Sequence, residues 1–96
     1  MDEIKEISNC LRILRQGYDI THYGLEGDAV NILELLAKHQ QLDNFEYVCK
    51  CISETPNESY RNVISYLLES VTNKNRLAAN ILNKEHIEIL AKYKTS

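Results

Sequence analysis

The sequence predicts an all-α fold, a compact bundle of five to six short helices forming a single domain over residues 1–96. Three observations predict it. Apolar residues recur at helical spacing through most of the chain, and no stretch alternates for long enough to make a strand. One proline, three glycines and no tryptophan supply little punctuation for many short strands. Two start signals, Asp43-Asn44-Phe45-Glu46 and Thr55-Pro56-Asn57-Glu58, read as capping boxes. In such a box an N-cap oxygen accepts from the N3 amide while the N3 carboxylate reaches back.

The first helix is predicted over residues 2–16. Ile4, Ile7, Leu11 and Leu14 keep one stripe turned inward, Cys10 and Ile13 widen it, and Lys5, Ser8, Arg12 and Arg15 lie away from it. Arg15 supplies a cation for the helix end and Gly17 the glycine that closes it. Residues Gly17 to Gly27 hold all three glycines, two tyrosines, Asp19 and His22 without periodicity. They form either a long connection or a short helical turn held between loops, and connections of that length are often functional.

Asp28 can cap a second helix in which Ala29, Val30, Ile32, Leu33, Leu35, Leu36 and Ala37 run nearly all the way round, the mark of a central element. His39-Gln40-Gln41 ends it. Asp43 then caps a third helix with Phe45, Val48, Cys49 and Ile52 inward, and Leu42 and Tyr47 have the spacing of a hydrophobic staple. Thr55 caps a fourth, with Pro56 at its first position, where a missing amide proton costs nothing. Its stripe is Tyr60, Val63, Ile64, Leu67, Leu68 and Val71, opposite Arg61, Ser65 and Glu69. The polar run Thr72 to Asn75 interrupts the pattern, and Leu77, Ala78, Ile81 and Leu82 resume it. Asn83 can cap a final helix containing Ile87, Leu90 and Ala91.

Composition narrows the function classes. Apolar residues make up 44% and charged residues 26%, ordinary for a folded domain, and a formal charge of -3 does not suggest a nucleic-acid binder or a basic membrane-surface protein. The charge is uneven: residues 1–54 carry ten acidic and five basic side chains, residues 55–96 four acidic and six basic. No apolar run is long enough to span a bilayer, and the start Met1-Asp2-Glu3 lacks the basic segment of a signal peptide. Three cysteines, an odd and sparse set, suit a reducing cytoplasm.

Chemical motifs are mostly excluded. Cys49 and Cys51 stand roughly 200° apart on a helix and cannot share an ion, so no metal site or other cofactor is expected. Cys10 lies on a core stripe, where burial opposes thiolate formation. Paired carboxylates, a glycine-rich phosphate loop and a Walker lysine are absent. The chain is therefore expected to have no catalytic residues. Lys74, Arg76, Lys84, Lys92 and Lys94 make the last third basic, but Glu85 and Glu88 on the same helix would repel phosphates.

Tyr18 and Tyr23, set in the glycine-bounded stretch with Asp19 and His22, have the character of rigid amphipathic anchors that carry interface energy. The alternative is that both rings fold back over the first two helices. Tyr18, Asp19, His22 and Tyr23 are the candidate partner-binding residues.

Leu35-Leu36-Ala37-Lys38-His39-Gln40-Gln41-Leu42-Asp43-Asn44-Phe45 and Glu54-Thr55-Pro56-Asn57, within residues 28–59, resemble death-fold adaptor domains, in particular bacterial effector-associated modules. The resemblance covers a third of the chain. It implies a six-helix bundle that recruits a partner by like-with-like contact. The leading expectation is a cytoplasmic, non-catalytic protein-binding module, an inhibitor or immunity-type protein or an adaptor that can self-associate into a homo-oligomer. The competing expectation is a small helical nucleic-acid-binding domain that uses Lys84, Lys92 and Lys94.

Overall fold

Helical spacing becomes helical structure along most of the described chain. A computed structural model describes residues 2–73 and 78–94, and among these residues there is no strand. The elements are α1 (Glu3–Arg15), α2 (Glu26–Lys38), α3 (Leu42–Glu54), α4 (Glu58–Asn73), the single turn α5 (Ala78–Ile81) and α6 (Lys84–Tyr93), with a 3₁₀ turn at Ile20–His22 between α1 and α2. The expected all-α bundle is therefore the observed architecture. Expectations placed on Lys74, Asn75, Arg76, Leu77 and the side chain of Ala78 lie outside the described residues.

The inward stripes form one core. Ile7, Cys10, Leu11 and Leu14 of α1 meet Ile32, Leu33 and Leu36 of α2, and Phe45, Val48, Cys49 and Ile52 of α3 are fully buried. α2 packs against α1, α3, α4 and α5, the central position that its all-round apolar surface predicts. α3 lies against α1, α2, α4 and α6. The radius of gyration is 12.1 Å, close to the value of about 12.5 Å expected for a chain of this length folded as one globule.

Two helix ends close by the same device. After α1, Gly17 takes φ of +92°, its amide donates to the Leu14 carbonyl, and the Tyr18 amide donates to that of Ile13. After α2, Gln40 takes φ of +57°, its amide donates to Ala37, and the Gln41 amide donates to Leu36. Both are Schellman closures, in which a left-handed residue lets two amides turn back onto otherwise orphaned carbonyls. Glycine occupies that position in the first; a glutamine carries it in the second.

The Gln40 closure overturns the start predicted for α3. Its amide-to-carbonyl turn delivers the chain into helix at Leu42, with Gln41 as N-cap and its carbonyl accepting from the Phe45 amide. Asp43 is already inside the first turn and does not cap, and Leu42 is helical, so there is no staple. Tyr47 instead lies beneath the Arg15 guanidinium, 5.6 Å from ring centre to Cζ. Glu46 does not reach back to its own helix start. It accepts from Lys92 Nζ at 2.9 Å and from the Tyr93 hydroxyl at 3.0 Å, fastening α6 to α3. Those donors hold its carboxyl below the ordinary carboxylate range.

The other two predicted caps also move. Asn57, not Thr55, caps α4, its side-chain oxygen accepting from the Ser59 amide at 3.0 Å. Helix α2 begins at Glu26, so Gly27 is helical and Asp28 is the N3 residue whose carboxylate accepts from the Leu25 amide at 2.8 Å. Asn83 caps α6 as predicted, accepting from the Glu85 and His86 amides. His86 completes that turn: its Nδ1 accepts from the Asn83 amide at 3.0 Å, and its ring lies 4.8 Å from that of Phe45.

His39 does not meet the carbonyls of its own helix end. Its Nε2 is 2.8 Å from Glu3 Oε1, and Lys38 Nζ is 3.0 Å from the same oxygen, so the start of α1 is tied to the end of α2. Hydrogen bonds from His39, then Lys38, hold the Glu3 carboxyl below its ordinary range.

Two outcomes are expected. Gln40→Gly removes a Cβ from a left-handed position and should raise stability by about 0.5–1 kcal/mol in urea unfolding, because relief of strain exceeds the added chain entropy; Gln40→Ala should not. Burial holds the His86 imidazole below its ordinary range, against the opposing effect of Glu85. Below pH about 6.5 the unfolded chain takes up a proton that folded His86 resists, so stability should fall as pH falls through that point. Unfolding at pH 7.5 and 5.5 should show a flatter dependence in His86→Gln, which keeps an acceptor for the Asn83 amide.

Candidate functional site

The stretch Gly17 to Gly27 is neither a loose loop nor a lid. Its middle is one 3₁₀ turn, capped from within, and four contacts pin it to the bundle. Asp19 caps the turn by accepting from the Thr21 amide at 3.0 Å. The same oxygen accepts from the Thr55 hydroxyl at 2.8 Å. Ile20 is buried in the core. The Tyr23 hydroxyl donates to Glu6 Oε1 at 2.7 Å, and the Tyr60 hydroxyl donates to the Gly24 carbonyl.

Gly24 is required by close approach. A Cβ there would lie 2.5 Å from Asp28 Oδ2 and 2.9 Å from Asp28 Cβ, where the carboxylate turns back to cap α2. Any larger residue would displace the Asp28 cap and with it the start of α2.

Thr55 is the far anchor. It ends α3, its amide donating to the Ile52 carbonyl, and it is almost wholly buried. Its hydroxyl donates to Asp19 and accepts from the Asn57 amide, and its carbonyl accepts from the Arg61 guanidinium at 2.7 Å. Every polar atom of this buried residue is thus paired, as burial demands.

The four candidate residues divide into two pairs. Asp19 and Tyr23 turn inward and serve the scaffold. Burial pushes the Asp19 carboxyl up, but the Thr21 amide and Thr55 hydroxyl outweigh it and hold the group below its ordinary range. Burial and Glu6 push the Tyr23 phenol well up, so it acts as a neutral donor. Tyr18 and His22 face outward. Tyr18 is 53% exposed, and the two rings stand 5.1 Å apart between centroids at a tilt of 42°.

Beside this pair lies an open cleft of about 330 Å³ between the turn, the end of α1 and α3. Leu14 and Ile20 form its floor, Tyr47 and Cys51 its wall, and Lys50 and Glu54 stand at its mouth. Its exposed lining is mixed, polar as much as apolar, with Lys50 and Glu54 supplying opposite charges. The thiols add no poised nucleophile: burial pushes Cys10 up to about 12, and it also raises Cys49 and Cys51. Among the described residues no three His, Cys, Asp or Glu side chains gather closely enough to hold a metal, and no helix is long and apolar enough to cross a membrane.

Thr55 is the residue that sequence reasoning missed, because a threonine before a proline and three residues ahead of a glutamate has the pattern of an N-cap. A second concavity, between α2 and α4, was also hidden. With α2 expected to begin at Asp28, Glu26 and Gly27 were assigned to the loop and not to a helical face. No known protein family, characterised protein or solved structure matches the chain.

Thr55→Val keeps the shape of the residue and removes its hydroxyl. It should cost about 1–3 kcal/mol in urea unfolding, the range for stranding buried polar partners, and should speed amide exchange across residues 18–24. Thr55→Ser should retain most of both properties. An equal loss in the two variants would show that the methyl group, and not the hydroxyl, holds the corner.

Proposed function

We propose that this protein is a non-catalytic protein-binding module that presents Tyr18 and His22 to a protein partner. One observation carries the reading: the two exposed rings sit on a turn that is already ordered by buried contacts on both sides. Ordering a flexible side chain on binding costs about 0.5–1.5 kcal/mol. A tyrosine has only two side-chain torsions to fix, its ordered backbone adds no loop-ordering cost, and aromatic anchors beside a cleft are where interface energy concentrates.

The cleft next to Tyr18 supports the same reading. Its apolar floor can receive a partner side chain, and the ring of Tyr18 would cover it. The module would act by occupying or recruiting its partner in the cytoplasm. An inhibitor or immunity-type protein would hold one partner tightly. An adaptor of the kind that the death-fold resemblance implies would self-associate or join a similar domain. The nucleic-acid reading has less to stand on, because Lys92 is held by Glu46 and lies over the Tyr93 ring.

The test is recovery of the tagged full chain from its native cell in mild salt, alongside a Tyr18→Ala/His22→Ala double variant. The wild-type chain should return with a protein partner, and the variant should lose it at least tenfold while melting within a few degrees of wild type. A wild-type chain that returns alone and monomeric, or a variant that brings back the same partner in full, would overturn the proposal.

A further inference from the structure

The groove between α2 and α4 is lined by two regular stripes. Glu26, Val30 and Glu34 stand at four-residue intervals along α2. Ser59, Val63 and Tyr66 face them from α4, with Asn62 on the same side. The groove has a volume of about 480 Å³. Its floor is Val30 and Val63, both buried, and Tyr66 is an exposed aromatic on its edge.

The described lining of the groove carries charge of one sign. Among the described residues, the charged side chains lining it are Glu26 and Glu34, both acidic. Eight residues of α2 at 1.5 Å rise separate the two carboxylates by about 12 Å along the axis. A helix laid in the groove would present cations eight residues apart at the same spacing, with the residue midway between them over the valines. Glu34 already makes an interaction of its own, and a carboxylate has lone pairs for a second donor. Gly27 leaves open space at one end, since nothing lies within 4 Å of where its Cβ would be.

We infer that this groove docks a basic amphipathic helix of a protein partner, with lysine or arginine on Glu26 and Glu34 and an apolar side chain between them. This is helix-in-groove recognition, in which regularly spaced anchors meet a hydrophobic floor. The inference does not depend on the Tyr18 lip, which belongs to the other cleft.

The probe is a fluorescein-labelled twelve-residue helical peptide carrying two lysines eight residues apart and a leucine midway. Its control has glutamates in place of the lysines. The full chain should bind the basic peptide saturably, and more weakly as salt rises from 50 to 300 mM. Glu26→Lys, which reverses an exposed charge, and Asn62→Arg, which brings a cation in from α4, should each weaken binding at least tenfold with helical content unchanged. Amide shifts on titration should map to both stripes. Tyr18→Ala should bind the peptide as wild type does, which separates failure here from failure of the Tyr18 reading. No saturable binding at low salt, equal binding of the acidic control, or full binding by both groove variants would overturn the inference.

Discussion

The hydroxyl of Thr55 is the interaction on which the upper part of the bundle depends. It is buried at the corner between α3 and α4, where a chain reversal leaves amides and carbonyls without helical partners. One atom resolves much of that deficit by accepting from Asn57 and donating to Asp19. The second of these bonds ties the corner to a turn 36 residues earlier in the chain. Tyr60, in the first turn of α4, adds a parallel tie to Gly24. The Asp19 carboxylate, the Tyr23 hydroxyl and the Gly24 carbonyl between α1 and α2 are thus each bonded to the scaffold, and that is why so glycine-rich a stretch holds one shape.

The parts of this arrangement legible in the sequence are those set by periodicity. The stripes of α1, α3 and α4 follow from residue spacing, except that Ile4, expected inward at the start of α1, is exposed, and the central position of α2 follows from its apolar surface. Helix starts are less legible, and two of them fall to a neighbouring local pattern and one to a tertiary contact. Asp43 has the look of a cap, but the Gln40 closure has already begun the helix at Leu42. Thr55 and Asn57 both lie ahead of α4, and the tertiary bond from Asp19 decides between them. Asp28 was read as a cap and is the N3 partner of one, because the carboxylate reaches back to Leu25. A sequence pattern names residues able to cap; which one does so depends on the closure that precedes it and, at Thr55, on a contact from elsewhere in the chain.

Charged contacts at the rim do a different job from the core. Glu3 joins the start of α1 to the end of α2, and Glu46 joins α3 to the end of α6. These side chains are substantially exposed, and surface pairs of this kind add little to stability. Their consequence is placement, since each fastens a helix end that would otherwise fray. They also remove charge from the surface on offer. Lys92, one of the lysines that made the last third look basic, is occupied in this way, so counting lysines along the sequence overstates the basic surface.

The candidate loop separates two kinds of residue that sequence reasoning grouped together. Asp19 and Tyr23 direct their polar atoms inward and are fixed by what they hold: a buried threonine and a glutamate on α1. Altering either would disturb the fold, so a loss of binding in such a variant would say nothing about contact with a partner. The side chains of Tyr18 and His22 are exposed and meet ring to ring, so they can be altered with little damage to the scaffold. The same reasoning applies to the groove, where Glu26 and Asn62 are exposed while Val30 and Val63 belong to the core. On both surfaces the informative substitutions are the exposed ones, because buried partners make the shape and exposed side chains can then act on what it presents. That division lets binding be tested apart from folding in a chain whose loop is tied to the core through Thr55, Tyr60 and Glu6.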